Sequence, residues 1–293
     1  MTGAARVPRG GGPLGDFFPL PDPDYVRLAS GATLAQVRVG DGDPVLLVHG
    51  SLCDYRYWQP QLHGLARRFS VTAVSLGHYF PTRCANRDLP FSWRAHVGQL
   101  AEYIEMAFGH AVHVVGHSRG AYLAYQLARL HPHAVRTLTL ADPGGSPQTG
   151  AGMAEQSLPE NVNALRARAV QLIASGDVDA GLELFVDSVS RPGSWRQSTP
   201  GFKAMARDNA HTLEAQFAEV LEPFIDIDAR ALAAPTLLIE GEKSPVVFRR
   251  NVEWLARCIG GARRVTIAGA SHGMNLAHPR AFDRAVVEFI DEA

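Results

Sequence analysis

Val112-His113-Val114-Val115-Gly116-His117-Ser118-Arg119-Gly120-Ala121-Tyr122-Leu123-Ala124-Tyr125 is an apolar run that reaches Gly-x-Ser-x-Gly and passes without a break into residues of helical period. Residues 112–116 suit a strand buried on both faces, and 119–131 suit an amphipathic helix. The serine between them stands on a sharp strand-to-helix turn. Its flanking glycines permit a close approach of strand and helix that a Cβ would obstruct. The hydroxyl is then lifted clear of the sheet. The same turn sets the backbone N–H of Arg119 at a helix start, where unpaired donors and the helix dipole favour a developing negative oxygen. The bare five-residue pattern is weak evidence in a Gly-rich chain, and its placement between strand and helix gives it weight.

Outward from this turn, similar short apolar runs recur at 44–50, 71–76, 137–141, 236–240 and 263–267, and two β-like runs, 25–28 and 33–39, form an expected hairpin. Between most of them lie stretches of helical period, about 55–68, 93–108, 119–131 and 245–259, with a last one at 279–290. Repeated strand and helix predicts an α/β fold with a doubly wound, mostly parallel eight-stranded sheet. One interval breaks the rhythm. Roughly 90 residues separate the strand ending at Asp142 from the one starting at Thr236, far more than a crossover needs. Helical patterns at 161–175, 178–189 and 202–221 predict a helical cap or lid over 143–231. The core is then 23–142 and 232–293, and 1–22 a loose, Gly- and Pro-rich start.

Composition narrows the function. The 293 residues carry 28 Lys+Arg against 29 Asp+Glu, with 46% hydrophobic residues. This balance argues against a surface built for nucleic acid or anionic lipid, and no apolar stretch of about 18 residues predicts a membrane span. Three cysteines, Cys53, Cys84 and Cys258, fit a reducing compartment, so a cytoplasmic monomer or homodimer is expected.

Two further segments fit the serine turn. His49-Gly50-Ser51-Leu52 follows the third strand, where a tight Gly turn can aim the Ser51 N–H at the same oxyanion, with His49 expected to hydrogen-bond the loop. Gly269-Ala270-Ser271-His272-Gly273 follows the last strand and sets an imidazole at the carboxyl edge of the sheet, where catalytic groups of such sheets belong.

With these parts the chain resembles the α/β-hydrolase superfamily from about residue 25 to 290, most weakly in the insertion. The resemblance implies that Ser118 attacks, His272 acts as base and then acid, and a carboxylate orients the histidine. The commonest family pattern has Asp three residues after the Gly that ends the strand near Glu240. In Gly241-Glu242-Lys243-Ser244 that place holds a serine, whose neutral hydroxyl cannot stabilise an imidazolium. Some members keep the acid one strand earlier, which makes Asp142 the first choice, with Glu242 the alternative and Glu240 a further one. Neighbouring strands lie about 4.8 Å apart, so the histidine loop passes over either strand tip and position alone does not choose.

Other residues weigh less. His110, His113 and His117 lack metal-ligand spacing on a shared helical face, and no metal is expected. Nothing resembles a dinucleotide fingerprint or a P-loop, so no cofactor is expected. Leu52, Cys53, Trp195 and Phe202 are the candidate substrate contacts, and Phe185, Phe217 and Phe224 are further aromatics of the insertion. The Arg119 side chain stands either at the pocket mouth or in solvent. The expected function is a serine hydrolase acting on a carboxylic ester or lactone of small to medium size with an apolar part. The alternatives are a C–C bond hydrolase or acyltransferase with the same triad, and a non-catalytic small-molecule binder on this scaffold.

Overall fold

A computed structural model describes residues 20–148 and 160–293. The strands are β1 (Asp24–Arg27), β2 (Thr33–Val39), β3 (Pro44–Val48), β4 (Ser70–Ser75), β5 (Val112–His117), β6 (Val135–Ala141), β7 (Thr236–Gly241) and β8 (Arg263–Ile267). They form one sheet in the order β1-β2-β4-β3-β5-β6-β7-β8. The first two pairings, β1 with β2 and β2 with β4, are antiparallel, and the rest are parallel. The hairpin and the doubly wound parallel body both agree with the sequence pattern. Every residue of β5 and of β7 is buried, as the continuous apolar runs require of central strands covered on both faces.

The helices are α1 (Gln59–Gly64), α2 (Trp93–Phe108), α3 (Arg119–Leu130), α4 (Glu160–Ala174), α5 (Val178–Val189), α6 (Ser194–Gln197), α7 (Pro200–Asn209), α8 (Thr212–Ala218), α9 (Asp226–Arg230), α10 (Val246–Cys258), α11 (Met274–Ala277) and α12 (Pro279–Glu292). One face of the sheet buries Leu46, Val48, Val112 and Val114 with α2, α3 and α10. The other buries Val45, Leu47, Val71 and Ile239 with α1 and α12. Alternate residues of β3 thus serve opposite cores, the period of two expected of a strand. In α3, every residue from Arg119 to Ala128 is buried, so the helix that begins at the serine is fixed on all sides.

Two expectations are corrected in detail. The helix expected over 55–68 is a 3₁₀ turn (Tyr55–Trp58), then α1, then a second 3₁₀ turn (Leu65–Arg67), with Pro60 at the start of α1 where its missing N–H is tolerated. The helix expected over 202–221 is divided at Ala210 and His211 into α7 and α8. At the end of α7 the Asn209 carbonyl accepts from Thr212 Oγ1 at 2.8 Å, and its side chain donates to Asp54 Oδ2 at 2.8 Å and accepts from the Phe80 N–H at 2.7 Å. The short α6 and α9 were not expected at all. The loose start expected over 1–22 lies outside the described residues as far as 19. So does part of the 143–231 insertion, from 149 to 159. Among the described residues no helix is long and apolar enough to cross a membrane.

Candidate active site

The strand tips gather the chemistry. Ser118 follows β5, Asp142 follows β6, Ser244 lies past β7, His272 lies past β8, and Ser51 and Leu52 follow β3. Ser118 has φ 55° and ψ −118°, a conformation an L-residue holds only when its surroundings impose it. Those surroundings are explicit. Its N–H donates to the Ala141 carbonyl at 2.9 Å, and its own carbonyl accepts from Gly144 N–H at 2.9 Å and Tyr122 N–H at 3.1 Å. A Cβ on Gly120 would stand 2.1 Å from the Val48 carbonyl oxygen, and one on Gly116 2.4 Å from the Gly120 carbonyl oxygen, so both flanking positions require glycine.

Asp142 is fully buried, and its Oδ2 lies 3.0 Å from His272 Nδ1. The other two carboxylates considered from sequence are engaged elsewhere. Glu242 accepts the Gly269 N–H at 2.6 Å, and Glu240 is paired with Arg264 and Thr266. Ser244, the serine found where an acid is commonest, donates its hydroxyl to the same Asp142 Oδ2 at 2.5 Å. It therefore braces the carboxylate of the neighbouring strand. With Nδ1 facing Asp142, Nε2 is the ring nitrogen left to act on a neighbour, and His272 and Ser118 line one cavity.

The histidine is held from three directions. Phe248 of α10 stacks on its ring, with centroids 4.0 Å apart and planes at 16°. His117 donates from Nε2 to the His272 carbonyl at 2.7 Å. Behind the loop, Tyr57 donates to Asn275 Oδ1 at 2.8 Å. Sequence reading weighed His117 only as a metal ligand and missed this strut, and it also missed Phe248. His113 pairs with Thr137 Oγ1 and His110 with the Ala111 carbonyl, so the three histidines turn to separate partners.

His49 accepts the Leu76 N–H at Nε2 and therefore donates from Nδ1 to the Gly50 carbonyl at 2.8 Å, fixing the turn that presents Ser51. Ser51 Oγ accepts from Gln216 of α8 at 2.8 Å, which ties this loop to the insertion. The Arg119 side chain is neither at an open mouth nor in solvent. It is buried in an ion pair with buried Glu219, whose other oxygen accepts the Trp93 N–H at 2.7 Å. Of the four candidate contacts, Leu52, Cys53 and Phe202 line the cavity that holds His272. Trp195 lines neither cavity that reaches Ser118. It is buried within the insertion, packed among Leu182, Phe185 and Leu213. Phe185 and Phe217 do face a cavity, whereas Phe224 lies in the core against Tyr125. Burial pushes the Cys53 thiol up, which favours its protonated form.

Burial also keeps the site's imidazoles neutral. It lowers His49 and His113 to about 4, His117 and His272 to about 3, and His96 well below the ordinary range. An unfolded histidine takes a proton near 6.5, so these five side chains lose their contribution to stability as pH falls below that value. Asp142, pushed up by burial, and Asp283, raised by burial to about 7, act in the opposite sense, because their folded forms take the proton first. Five histidines outweigh two carboxyls, and the unfolded chain binds more protons between about pH 6.5 and 4. The melting temperature is expected to change little from pH 7.5 to 7 and to drop between about pH 6.5 and 4.5. A flat profile across that range would show that these imidazoles are not buried neutral.

A strained serine turn, a buried carboxylate–imidazole pair and a Gly turn thus meet at the carboxyl edge of the sheet. The chain belongs to the alpha/beta hydrolase family, which it matches over residues 45–285. It is 25% identical over 280 residues to the polyketide synthase ThaQ of Burkholderia thailandensis, covering 92% of this chain but only 13% of that far longer protein. It is also 25% identical to a pimeloyl-[acyl-carrier protein] methyl ester esterase of Aeromonas hydrophila, over 86% of this chain and 97% of the esterase. Among solved structures, the enol-lactonase of Burkholderia xenovorans superposes with a TM-score of 0.73 at 18% identity, covering 92% of this chain and all 100% of that one.

Proposed function

We propose that this protein is a cofactor-free serine hydrolase that cleaves a carboxylic ester or lactone of small to medium size with an apolar part. One observation carries the reading: a fully buried carboxylate lies in hydrogen-bond contact with the imidazole that shares a cavity with the serine of the strained turn. Similarity to proteins named as a methyl ester esterase and an enol-lactonase supports the bond class.

In this mechanism Ser118 Oγ attacks the ester carbonyl as His272 Nε2 takes its proton, and Asp142 holds the Nδ1–H tautomer and stabilises the imidazolium. The N–H groups of Ser51 and Arg119 receive the oxyanion. The imidazolium then protonates the leaving alkoxide, and water, deprotonated by the same nitrogen, releases the acid from Ser118. The apolar wall formed by Leu52, Phe185, Val186 and Phe202 suits an acyl or alcohol arm without charge. Asp142 in contact with His272 supplies the carboxylate that Ser244 does not, which favours the hydrolase over a non-catalytic binder.

The test is labelling with a fluorophosphonate and peptide mapping of the adduct, with hydrolysis of p-nitrophenyl esters from acetate to decanoate alongside. Labelling at Ser118 together with ester turnover is the expected result. A protein that neither reacts nor turns over any ester of the series is not this enzyme.

A further inference from the structure

Two cavities, of about 570 and 480 Å³, meet at Ser118, and Ser51, Phe185 and Val189 also line both. The smaller carries the apolar wall just described, and the exposed Arg191 and Lys243 also line it. The larger is walled differently, because Arg119, Arg166, Glu214, Gln216 and Glu219 reach it. Arg119 and Glu219 are consumed by each other. Arg166, on α4, is not.

Among the described residues, the arginines that are not exposed are Arg56, Arg119, Arg129, Arg166 and Arg263. Four of them have carboxylates: Asp54 and Asp208 for Arg56, Glu219 for Arg119, Glu222 and Asp228 for Arg129, and Glu288 and Glu292 for Arg263. Arg166 makes no ion pair among the described residues, and its Nε is buried without a hydrogen-bond partner. Its one contact of note is the Phe217 ring, 5.5 Å from the guanidinium carbon. Glu214 shares the cavity but is exposed and forms no bond to it. A guanidinium partly withdrawn from water, with no carboxylate beside it among the described residues, favours an anion, and its planar fork of donors matches a carboxylate. Arg166 lines the larger of the two cavities that meet at Ser118, where one arm of a substrate has room to extend.

We propose that Arg166 binds an anionic group of the substrate, so that the enzyme acts on esters with one arm ending in a carboxylate and the other apolar. The inference rests on the ester-hydrolase reading, and it deepens that reading by dividing the site into a charged and an uncharged arm.

Two pairs, each exchanging a terminal carboxylate for a methyl group, test both orientations: monomethyl adipate against methyl hexanoate, and 5-acetoxypentanoate against pentyl acetate. In at least one pair the parent is expected to favour the anionic ester by tenfold or more in kcat/KM. In Arg166→Met, with the melting temperature as a check on folding, that ratio falls to within about twofold, and Arg166→Lys restores part of it. Turnover without anionic preference in either pair, or a preference that Arg166→Met leaves intact, overturns the inference while the esterase stands. If no ester is turned over, the esterase reading fails, and calorimetry decides Arg166 separately. Ser118→Ala should bind the anionic member of one pair at least tenfold more tightly than its neutral partner, and Ser118→Ala with Arg166→Met should not. Equal affinities for both members of both pairs in Ser118→Ala refute the proposal.

Discussion

Ser118→Ala is expected to lower kcat/KM for p-nitrophenyl butyrate by about 10⁴-fold or more and to abolish fluorophosphonate labelling, with the fold unchanged. The size follows from what the variant removes. Without Oγ there is no acyl-enzyme, and what is left is the oxyanion donors and substrate binding acting on water, a residual catalysis of about 10³- to 10⁴-fold over solution. Alanine at this position must still adopt φ 55°, and the bonds that impose it come from backbone groups: Ser118 N–H to Ala141, and Gly144 and Tyr122 N–H to the Ser118 carbonyl. None of these involves the hydroxyl. A variant that keeps more than a tenth of the parent's rate would remove Ser118 as nucleophile. It would direct attention to a general-base reaction in which His272 activates water directly.

The parts of the site legible in the sequence are those whose chemistry is local. Gly116 and Gly120 announce a turn that admits no side chain, and the structure finds carbonyl oxygens where their Cβ atoms would be. The apolar runs of β3, β5 and β7 announce central strands because burial on both faces leaves no place for a polar residue. What was not legible depends on contacts between distant segments. Ser244 bracing Asp142 joins residues 102 apart, and His117 bracing the His272 carbonyl joins residues 155 apart. Neither pair has a sequence period. The packing of Trp195 inside the insertion was not legible for the same reason. An aromatic residue in a helical insertion has two sides on which to pack, and only the neighbouring helices decide which one faces Ser118. The bonds of the Asn209 side chain at the end of α7 likewise reach Asp54 and Phe80, far away in the chain.

The identity of the acid gives the sharpest division among variants. Asp142→Asn is expected to lower kcat/KM by about 10³-fold or more, and Glu242→Gln by less than about threefold. Both Ser244 Oγ and His272 Nδ1 address Oδ2, whereas Oδ1 is buried with no hydrogen-bond partner. An asparagine can therefore place its amide oxygen at Oδ2, accept both bonds, and leave its nitrogen where Oδ1 stood. The imidazole keeps its orientation, and what disappears is the negative charge that stabilises the imidazolium in a site from which water is excluded. Asp142→Ala removes orientation as well and should fall further than Asp142→Asn. Ser244→Ala leaves the charge and withdraws one donor, so its loss should be the smallest of the three. Glu242 touches only the Gly269 N–H at the rim, and its substitution changes neither charge nor tautomer at His272. Rates for these variants on one p-nitrophenyl ester, with melting temperatures to confirm folding, settle the order. A collapse in Glu242→Gln with Asp142→Asn near the parent would transfer the acid to the tip of β7, and the 3.0 Å contact to His272 would then be structural only.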